Sequence, residues 1–134
     1  MIEGISHITF IVRDLDKMAK LLVDVLGGDE VYSSGDDTFS LSREKFFLIG
    51  GVWVAAMEGD PLAERSYNHV AFKVRGEDMQ GYEAAIKKLG LEIRKPRPRV
   101  EGEGHSLYFY DYDNHLFELH TGTLDDRLSR YAKG

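Results

Sequence analysis

A repeated heptapeptide, which opens each half of the chain, constrains the fold more than any other feature of the sequence. The copies are His7-Ile-Thr-Phe-Ile-Val-Arg13 and His69-Val-Ala-Phe-Lys-Val-Arg75, and positions 7 and 69 differ by 62 residues. Gly28 and Gly90 keep the same offset. A repeat of this length indicates a duplicated supersecondary unit. It also places one histidine at the same position of each copy, which points to a metal site between the copies.

Size and composition limit the classes of function. The 134 residues are enough for one domain made of two modules, about 4–59 and 66–122, followed by a helix over 123–134. A net charge of −6 argues against general nucleic-acid binding. Because cysteine is absent, any metal must bind through nitrogen and oxygen. The sequence has no signal-peptide pattern and no long apolar span, so we expect a cytoplasmic protein that does not enter membranes.

Alternating and helical patterns predict the order βαβββ in each module, and hence an α+β fold. In the first module we expect a helix from Asp14 to about Leu26 and strands over 5–12, 38–41, 45–49 and 52–57. In the second we expect a helix over 78–89 and strands over 68–74, 91–94, 106–110 and 116–121. A last helix begins near Thr123, a residue type that caps helices.

The alternation sorts the strand residues into two faces. One face is apolar and should pack under the helices: Ile8, Phe10, Val12, Val70, Phe72, Val74, Phe117 and Leu119. The opposite face is polar: His7, Thr9, Tyr67, His69, Ser106, Tyr108, Glu118 and His120. A cavity that holds a ligand would explain why so many polar groups share one surface of a sheet.

Two imidazoles and a carboxylate on this face, from His7, His69 and Glu118, match a facial triad that binds Mn²⁺, Fe²⁺ or Zn²⁺ and leaves positions open. In the repeat alignment Ala55 stands opposite Glu118, so the fourth corner of the duplicated site holds no ligand. A lone strand histidine is more typical of a structural position, but the equivalent pair favours a metal site. His120 is a rival third ligand.

Further residues suit a small anionic substrate. Arg94, Lys95, Arg97 and Arg99 are clustered before a glycine-rich loop, and guanidinium groups bind phosphate or phosphonate oxygens in pairs. Each of these cations taken singly is more typical of a solvated loop. The other candidates for contact with a substrate are Trp53, Tyr67, Ser106, Tyr108 and Arg127. Glu44 has the chemistry of a general base, although alone it is more typical of a turn.

These motifs resemble those of the vicinal oxygen chelate superfamily, which has a glyoxalase-like fold. More closely, they resemble the fosfomycin resistance proteins of the epoxide hydrolase type, called FosX. The resemblance covers essentially the whole chain. Its most specific stretches are Ile5–Phe10, Phe39–Ile49, Glu64–His69, Arg97–Gly104, Tyr108–Asp111 and Asp113–His120.

The resemblance implies an Mn²⁺ enzyme that adds water to the epoxide of fosfomycin, with Glu44 as the base. It implies His7, His69 and Glu118 as the metal ligands. Thr9, Tyr67, Ser106, Tyr108 and Arg127 then surround the substrate, and Arg97 or Arg99 binds its phosphonate. It also implies cupped sheets paired across a homodimer, with His7 from one subunit and His69 and Glu118 from the other. The substrate would be fosfomycin or a related phosphonate.

Three alternatives stay open at this point. A sister branch opens the same epoxide with glutathione or another thiol, and would not need a water-activating carboxylate at Glu44. An Fe²⁺ extradiol dioxygenase uses the same ligands but leaves the arginine-rich loop unexplained. A binding protein that sequesters the antibiotic would not need the metal ligands at all.

Overall fold

The computed structural model describes residues 1–95, 98–99, 101–102 and 104–133. The chain forms two compact units. The first consists of Met1–Arg65 together with Asp111–His115, and the second of Ser66–Tyr110 together with Leu116–Gly134. Each unit contains one four-stranded sheet.

The first unit has the order βαβββ. Its elements are β1 (His7–Val12), α1 (Leu15–Lys20), which continues as a π-helical turn (Leu21–Val25), β2 (Asp29–Ser33), β3 (Glu44–Ile49) and β4 (Val52–Glu58). The strand order is β1-β4-β3-β2, with β1 parallel to β4 and the other pairs antiparallel. Asp14 caps α1, because its Oδ1 accepts the backbone N–H groups of Asp16 and Lys17 at 3.0 and 3.1 Å.

The predicted apolar face packs the sheet of the first unit against its helix. The buried side chains come from alternate strand positions and from one side of α1 and the π-helical turn: Phe10, Val12, Met18, Leu21, Leu22, Phe47, Ile49, Val54 and Ala56. Only glycine fits at position 28, since a Cβ there would lie 2.8 Å from the Ile49 side chain and 2.9 Å from the Leu22 carbonyl oxygen. The glycine that ends the predicted helix is therefore also what lets β2 approach the core.

The predicted strand over 38–41 is wrong. The strand that pairs with β3 is β2, at Asp29–Ser33, and its register shifts between Glu30 and Tyr32. Gly35 has a φ of 58°, which turns the chain away from the sheet immediately after β2. Phe39 and Leu41, whose alternation suggested a strand, are 82% and 91% exposed in this loop.

The strands predicted over 106–110 and 116–121 are confirmed as β7 (Ser106–Tyr110) and β8 (Leu116–His120), and the turn between them, Asp111–His115, belongs to the first unit. Asp111 Oδ1 accepts the backbone N–H groups of Asp113 and His115 at 2.8 and 2.9 Å. Asp113 is buried and accepts the backbone N–H of Arg13 and its Nε–H, at 3.1 and 3.0 Å. Arg13, the last residue of the first heptapeptide, therefore holds this turn.

The second unit repeats the topology of the first. Besides β7 and β8, it contains β5 (His69–Lys73), a 3₁₀ turn (Gly76–Asp78), α2 (Met79–Lys88), β6 (Ile93–Arg94) and α3 (Leu124–Ala132). The strand order is β5-β8-β7-β6, with β5 parallel to β8. The predicted α+β fold with two βαβββ modules is confirmed.

Thr123 caps α3 as predicted. Its Oγ1 accepts the backbone N–H of Asp126 at 3.1 Å, and the Asp126 carboxylate accepts the backbone N–H of Thr123 in return, which completes a capping box. In the part of the chain that the structure describes, no helix is long and apolar enough to cross a membrane.

Candidate metal and anion site

The second unit brings His69 and Glu118 together on the polar face of its sheet. Glu118 pairs in register with Ala71 of β5 and with Tyr108 of β7, and His69 lies two residues before Ala71. His69 Nε2 is 2.9 Å from Glu118 Oε1. Two of the three predicted metal ligands are therefore in contact.

The hydrogen bonds of His69 fit a bound cation. Its Nδ1 lies 2.6 Å from the backbone carbonyl oxygen of Tyr67, which only accepts, so Nδ1 carries the proton. In the neutral ring Nε2 then presents a lone pair to a carboxylate oxygen. Two acceptors at 2.9 Å repel each other unless a proton or a metal ion binds them. A histidine whose other nitrogen donates to a carbonyl is also the usual metal-binding arrangement.

Several donors and cations surround the Glu118 carboxylate, which is 5% exposed. Oε2 accepts a hydrogen bond from Ser106 Oγ at 2.6 Å and another from Arg99 Nη2 at 3.2 Å, and His120 Nδ1 lies 3.4 Å away. Burial alone would raise the pKa of Glu118. The Ser106 hydrogen bond, the electrostatic effect of the neighbouring His120 ring, the Tyr108 hydrogen bond and the Arg99 charge together outweigh burial and hold this pKa below its usual value, so the carboxylate stays charged.

An aromatic pair adjoins this carboxylate. Tyr67 donates its hydroxyl to Tyr108 at 2.9 Å, and Arg99 Nη2 donates to the same Tyr108 oxygen at 2.8 Å. Burial is the largest cause of a raised pKa for Tyr108, and the Tyr67 hydrogen bond and the Glu118 charge add to it. The Tyr108 phenol therefore remains protonated and can donate. Arg94 lies over the Tyr67 ring at 5.0 Å and donates to Tyr110.

Of the two loop arginines that sequence alone does not separate, Arg99 lies in this cluster, with a side chain 10% exposed. Arg97 lies outside the described residues. Beside the cluster is a cavity of about 350 Å³, lined by His69, Ala71, Glu118, His120, Gly122, Thr123, Leu124 and Arg127. A buried arginine, a second arginine at a cavity wall and hydroxyl donors together can bind a small anion.

The first unit carries the other predicted residues on one face of its sheet. His7 pairs in register with Trp53, and their ring centroids are 4.2 Å apart. Phe46 and Tyr32 extend the row of rings across β3 and β2, with centroid distances of 5.1 Å from Trp53 to Phe46 and 4.9 Å from Phe46 to Tyr32. His7 is exposed, and its Nδ1 lies 3.0 Å from Ser6 Oγ.

Glu44 begins β3 on the same face as His7 and Trp53. It pairs with Met57, four positions along β4 from Trp53. Glu44 is 9% exposed, and among the described residues its carboxylate makes no hydrogen bond or ion pair. Thr9 lies on the face between these positions and pairs with Ala55. Glu44 is thus a sheltered carboxylate with free acceptor oxygens.

Within the described part of the chain, no group of three or more histidine, aspartate or glutamate side chains is arranged to hold a metal ion. The contact between His69 and Glu118 consequently supplies two of the three predicted ligands. A third protein ligand has to reach it for the predicted triad to form.

Comparison with known proteins gives the family of the chain. Residues 4–119 match the family model of the glyoxalase/bleomycin resistance protein/dioxygenase superfamily. The chain belongs to this superfamily. Within it, the chain is 64% identical over 134 residues to the fosfomycin resistance protein FosX of Mesorhizobium japonicum, covering 100% of this chain and 96% of that protein. The FosX of Listeria innocua is 61% identical, with 99% of this chain and 100% of that protein covered.

A solved FosX structure has the same fold. It is a variant of the Listeria monocytogenes FosX in complex with Mn(II) and 1S,2S-dihydroxypropylphosphonic acid. It is 55% identical to this chain, with a TM-score of 0.90, and the match covers 98% of this chain and 99% of that one. The chain is therefore a member of the FosX family, as its motifs indicate.

For this FosX family member, sequence reasoning found most residues of the two faces but missed some contacts. It treated Arg94 as part of an anion-binding loop, whereas Arg94 stacks on Tyr67. It also missed Phe46 and Tyr32, although the alternation of β3 places Phe46 on the face of Glu44. His120 was considered as a ligand, and its Nδ1 lies 2.7 Å from Ser106 Oγ.

Proposed function

We propose that this chain catalyses the Mn²⁺-dependent hydration of the epoxide of fosfomycin and so confers resistance to that antibiotic. The observation that carries the proposal is the sheltered Glu44 carboxylate, which is free of described partners on the face that also bears His7. Water addition needs such a base. The diol phosphonate bound by the similar Listeria monocytogenes protein is what hydration of an epoxypropylphosphonate gives.

The donor set fits manganese. His69 Nε2 and Glu118 Oε1 would hold the ion in one subunit, and His7 would supply the third ligand from the other subunit of a homodimer. Imidazole nitrogen and carboxylate oxygen are ligands that Mn²⁺ accepts. When bound, the ion supplies a Lewis acid that stabilises the negative charge developing on the epoxide oxygen.

Glu44 performs the proton transfer. Its carboxylate accepts a proton from water as the water oxygen bonds to the epoxide carbon that bears the phosphonate. The bond between this carbon and the epoxide oxygen breaks, its electron pair remains on that oxygen, and a proton from solvent completes the diol. A base of this kind typically contributes a factor of about 10² to 10⁴ in rate.

The remaining site residues hold the phosphonate and shape the site. Arg99 and Arg127 neutralise the anion, and Tyr108 and Thr9 supply hydroxyl donors. Tyr67 and Ser106, whose own protons go to Tyr108 and Glu118, line the site around the substrate. Trp53, which has a buried Nε1–H without a partner among the described residues, forms an apolar wall beside His7. Fixing the anion holds the reacting carbon in line for attack, which lowers the entropic part of the barrier.

The decisive experiment is ³¹P NMR of the purified protein with fosfomycin and Mn²⁺, with and without glutathione. We expect the diol phosphonate to form without thiol and to disappear when a chelator removes the metal. Turnover that requires thiol would make the chain a transferase, and unchanged fosfomycin in every arm would favour a binding protein. Sedimentation would test the homodimer, and fractionation of the source cells would test the predicted cytoplasmic location.

A further inference from the structure

We propose that His120 is a positioning residue, which fixes the Glu118 carboxylate through Ser106 and so sets the affinity of the metal site. The inference rests on the proposed function in one respect, that Glu118 is a metal ligand. His120 itself is not a ligand in this proposal. It is the middle member of a chain of hydrogen bonds that runs from Arg127 to Glu118.

The groups at the two ends of this chain of hydrogen bonds determine which atom donates and which accepts at each step. Arg127 Nη2 lies 3.4 Å from His120 Nε2, and because a guanidinium only donates, Nε2 accepts and carries no proton. The proton of the ring is therefore on Nδ1, which lies 2.7 Å from Ser106 Oγ. At the other end, a charged carboxylate only accepts, so Ser106 donates its own proton to Glu118 Oε2 at 2.6 Å.

Each member of the chain thus has one assigned role. His120 donates to the Ser106 oxygen, which leaves the Ser106 proton free to point at Glu118. Without His120, the Ser106 oxygen loses this donor, and its hydroxyl is no longer confined to the orientation that points its proton at Glu118. The ring also lies 3.4 Å from Glu118 Oε2 through Nδ1, so it supports the same oxygen directly as well as through serine.

The geometry separates this role from that of a ligand. Both nitrogens of His120 are engaged, Nδ1 with Ser106 and Nε2 with Arg127, and the side chain is 14% exposed. The chain of hydrogen bonds holds Oε2 of Glu118, whereas Oε1 faces His69 and is the oxygen available to a metal ion. Residues that orient a metal ligand in this way typically contribute a factor of about 10 to 100 in metal affinity or activity.

Two substitutions at one position test the role. Asn in place of His120 keeps an N–H donor near the position of Nδ1, whereas Leu keeps a similar volume without a donor. Titration of Mn²⁺ followed by electron paramagnetic resonance measures affinity independently of turnover. We expect His120→Leu to weaken Mn²⁺ binding by about 10-fold or more and His120→Asn to stay within about 3-fold of wild type. His105→Leu, at an exposed histidine just before β7, should match wild type.

A double-mutant cycle tests whether His120 acts on Glu118 through Ser106. If His120 acts through Ser106, the loss caused by His120→Leu should largely disappear in a Ser106→Ala background. Equal losses in both backgrounds, or weak binding by His120→Asn as well, would overturn the proposal. Thermal unfolding of each metal-free variant identifies any that fail to fold. If His120→Leu does not fold, His120→Gln replaces it, because the polar atoms of Gln lie further out and this variant should behave as His120→Leu does.

A measurement on metal-free protein distinguishes this inference from the proposed function. ¹⁵N NMR of the imidazole nitrogens should find the proton of His120 on Nδ1, and a proton on Nε2 of the neutral ring would overturn the chain of hydrogen bonds. Absence of Mn²⁺ binding or of hydration by the wild-type protein would instead contradict the proposed function, whatever the tautomer.

Discussion

Glu44 and Ser106 occupy the same register position in the two units. Glu44 pairs with Met57 across β3 and β4, and Ser106 pairs with His120 across β7 and β8. Two residues along each strand, the pair Phe46 and Ala55 corresponds to the pair Tyr108 and Glu118. The two polar faces thus carry different carboxylates. That of Glu44 in the first unit has no partner among the described residues, whereas that of Glu118 in the second is held by donors.

Replacing Glu44 tests whether its carboxylate is the general base that activates water. Because Gln has nearly the same shape but cannot take a proton, we expect Glu44→Gln to lower kcat for fosfomycin hydration by about 10²-fold or more. Mn²⁺ affinity should remain near the wild-type value, since Glu44 is not among the proposed ligands. Initial rates by ³¹P NMR and Mn²⁺ titration measure the two quantities separately.

Glu83→Gln is the matched control for this substitution. Glu83 lies on α2 and forms an exposed ion pair with Lys87, so the same chemical change should leave the rate unaltered. Full activity of Glu44→Gln would show that another group activates water.

How far sequence predicts this structure depends on which residues are considered. The heptapeptide repeat places His7 and His69 correctly on polar faces, because strand alternation is a local property of the backbone. The edge strand β2 escapes prediction, since Asp29–Ser33 contains two acidic residues and its register shifts at a bulge. Edge strands are exposed and often charged, which weakens the apolar pattern on which prediction depends.

The cationic residues of the loop show a second limit of prediction from sequence. Arg94, Lys95, Arg97 and Arg99 look alike in the sequence, but Arg94 stacks on Tyr67 and Arg99 contacts Glu118. Composition identifies the kind of chemistry in such a loop. Long-range contacts decide which side chain performs it, and no local pattern encodes those contacts.

Replacing Arg99 should weaken the binding of the substrate without weakening the binding of the metal. Its guanidinium donates to Tyr108 and lies beside Glu118, so Arg99→Met removes a cation from the anion site. We expect the KM for fosfomycin to rise by about 10-fold or more, because hydrogen bonds to charged groups contribute about 1.5–3 kcal/mol. Mn²⁺ affinity should not fall, since a competing cation leaves the carboxylate.

The same measurements on Arg97→Met compare the two loop arginines. A larger rise in KM for Arg97→Met than for Arg99→Met would assign the phosphonate to Arg97. Equal and small effects of both substitutions would place the anion elsewhere, with Arg127 as the next residue to replace.

Mn²⁺ should stabilise the folded protein through His69. A ligand that binds only the folded state at about 100 times its Kd adds about 2.7 kcal/mol to the free energy of unfolding. We expect a rise in Tm of several degrees for the wild type, which a chelator reverses. His69→Ala should lose most of this rise and the exposed control His105→Ala should keep it, as scanning calorimetry with and without Mn²⁺ would measure. An unchanged rise in His69→Ala would exclude His69 as a ligand.

Gly104, just before β7, should not tolerate a side chain. It has a φ of 87°, and a Cβ there would lie 2.7 Å from the backbone nitrogen of Gly122 and 2.9 Å from Thr121 Oγ1. Because both the left-handed conformation and the close backbone contact oppose a methyl group, we expect Gly104→Ala to lower the free energy of unfolding by more than about 1 kcal/mol.

Gly81, inside α2, should tolerate a side chain, because a Cβ there meets nothing within 4 Å. Gly81→Ala should raise stability by about 0.5–1 kcal/mol, as expected for a helix interior. Urea unfolding of both variants compares these signs directly, and a stabilising Gly104→Ala would contradict the close approach of this loop to Gly122.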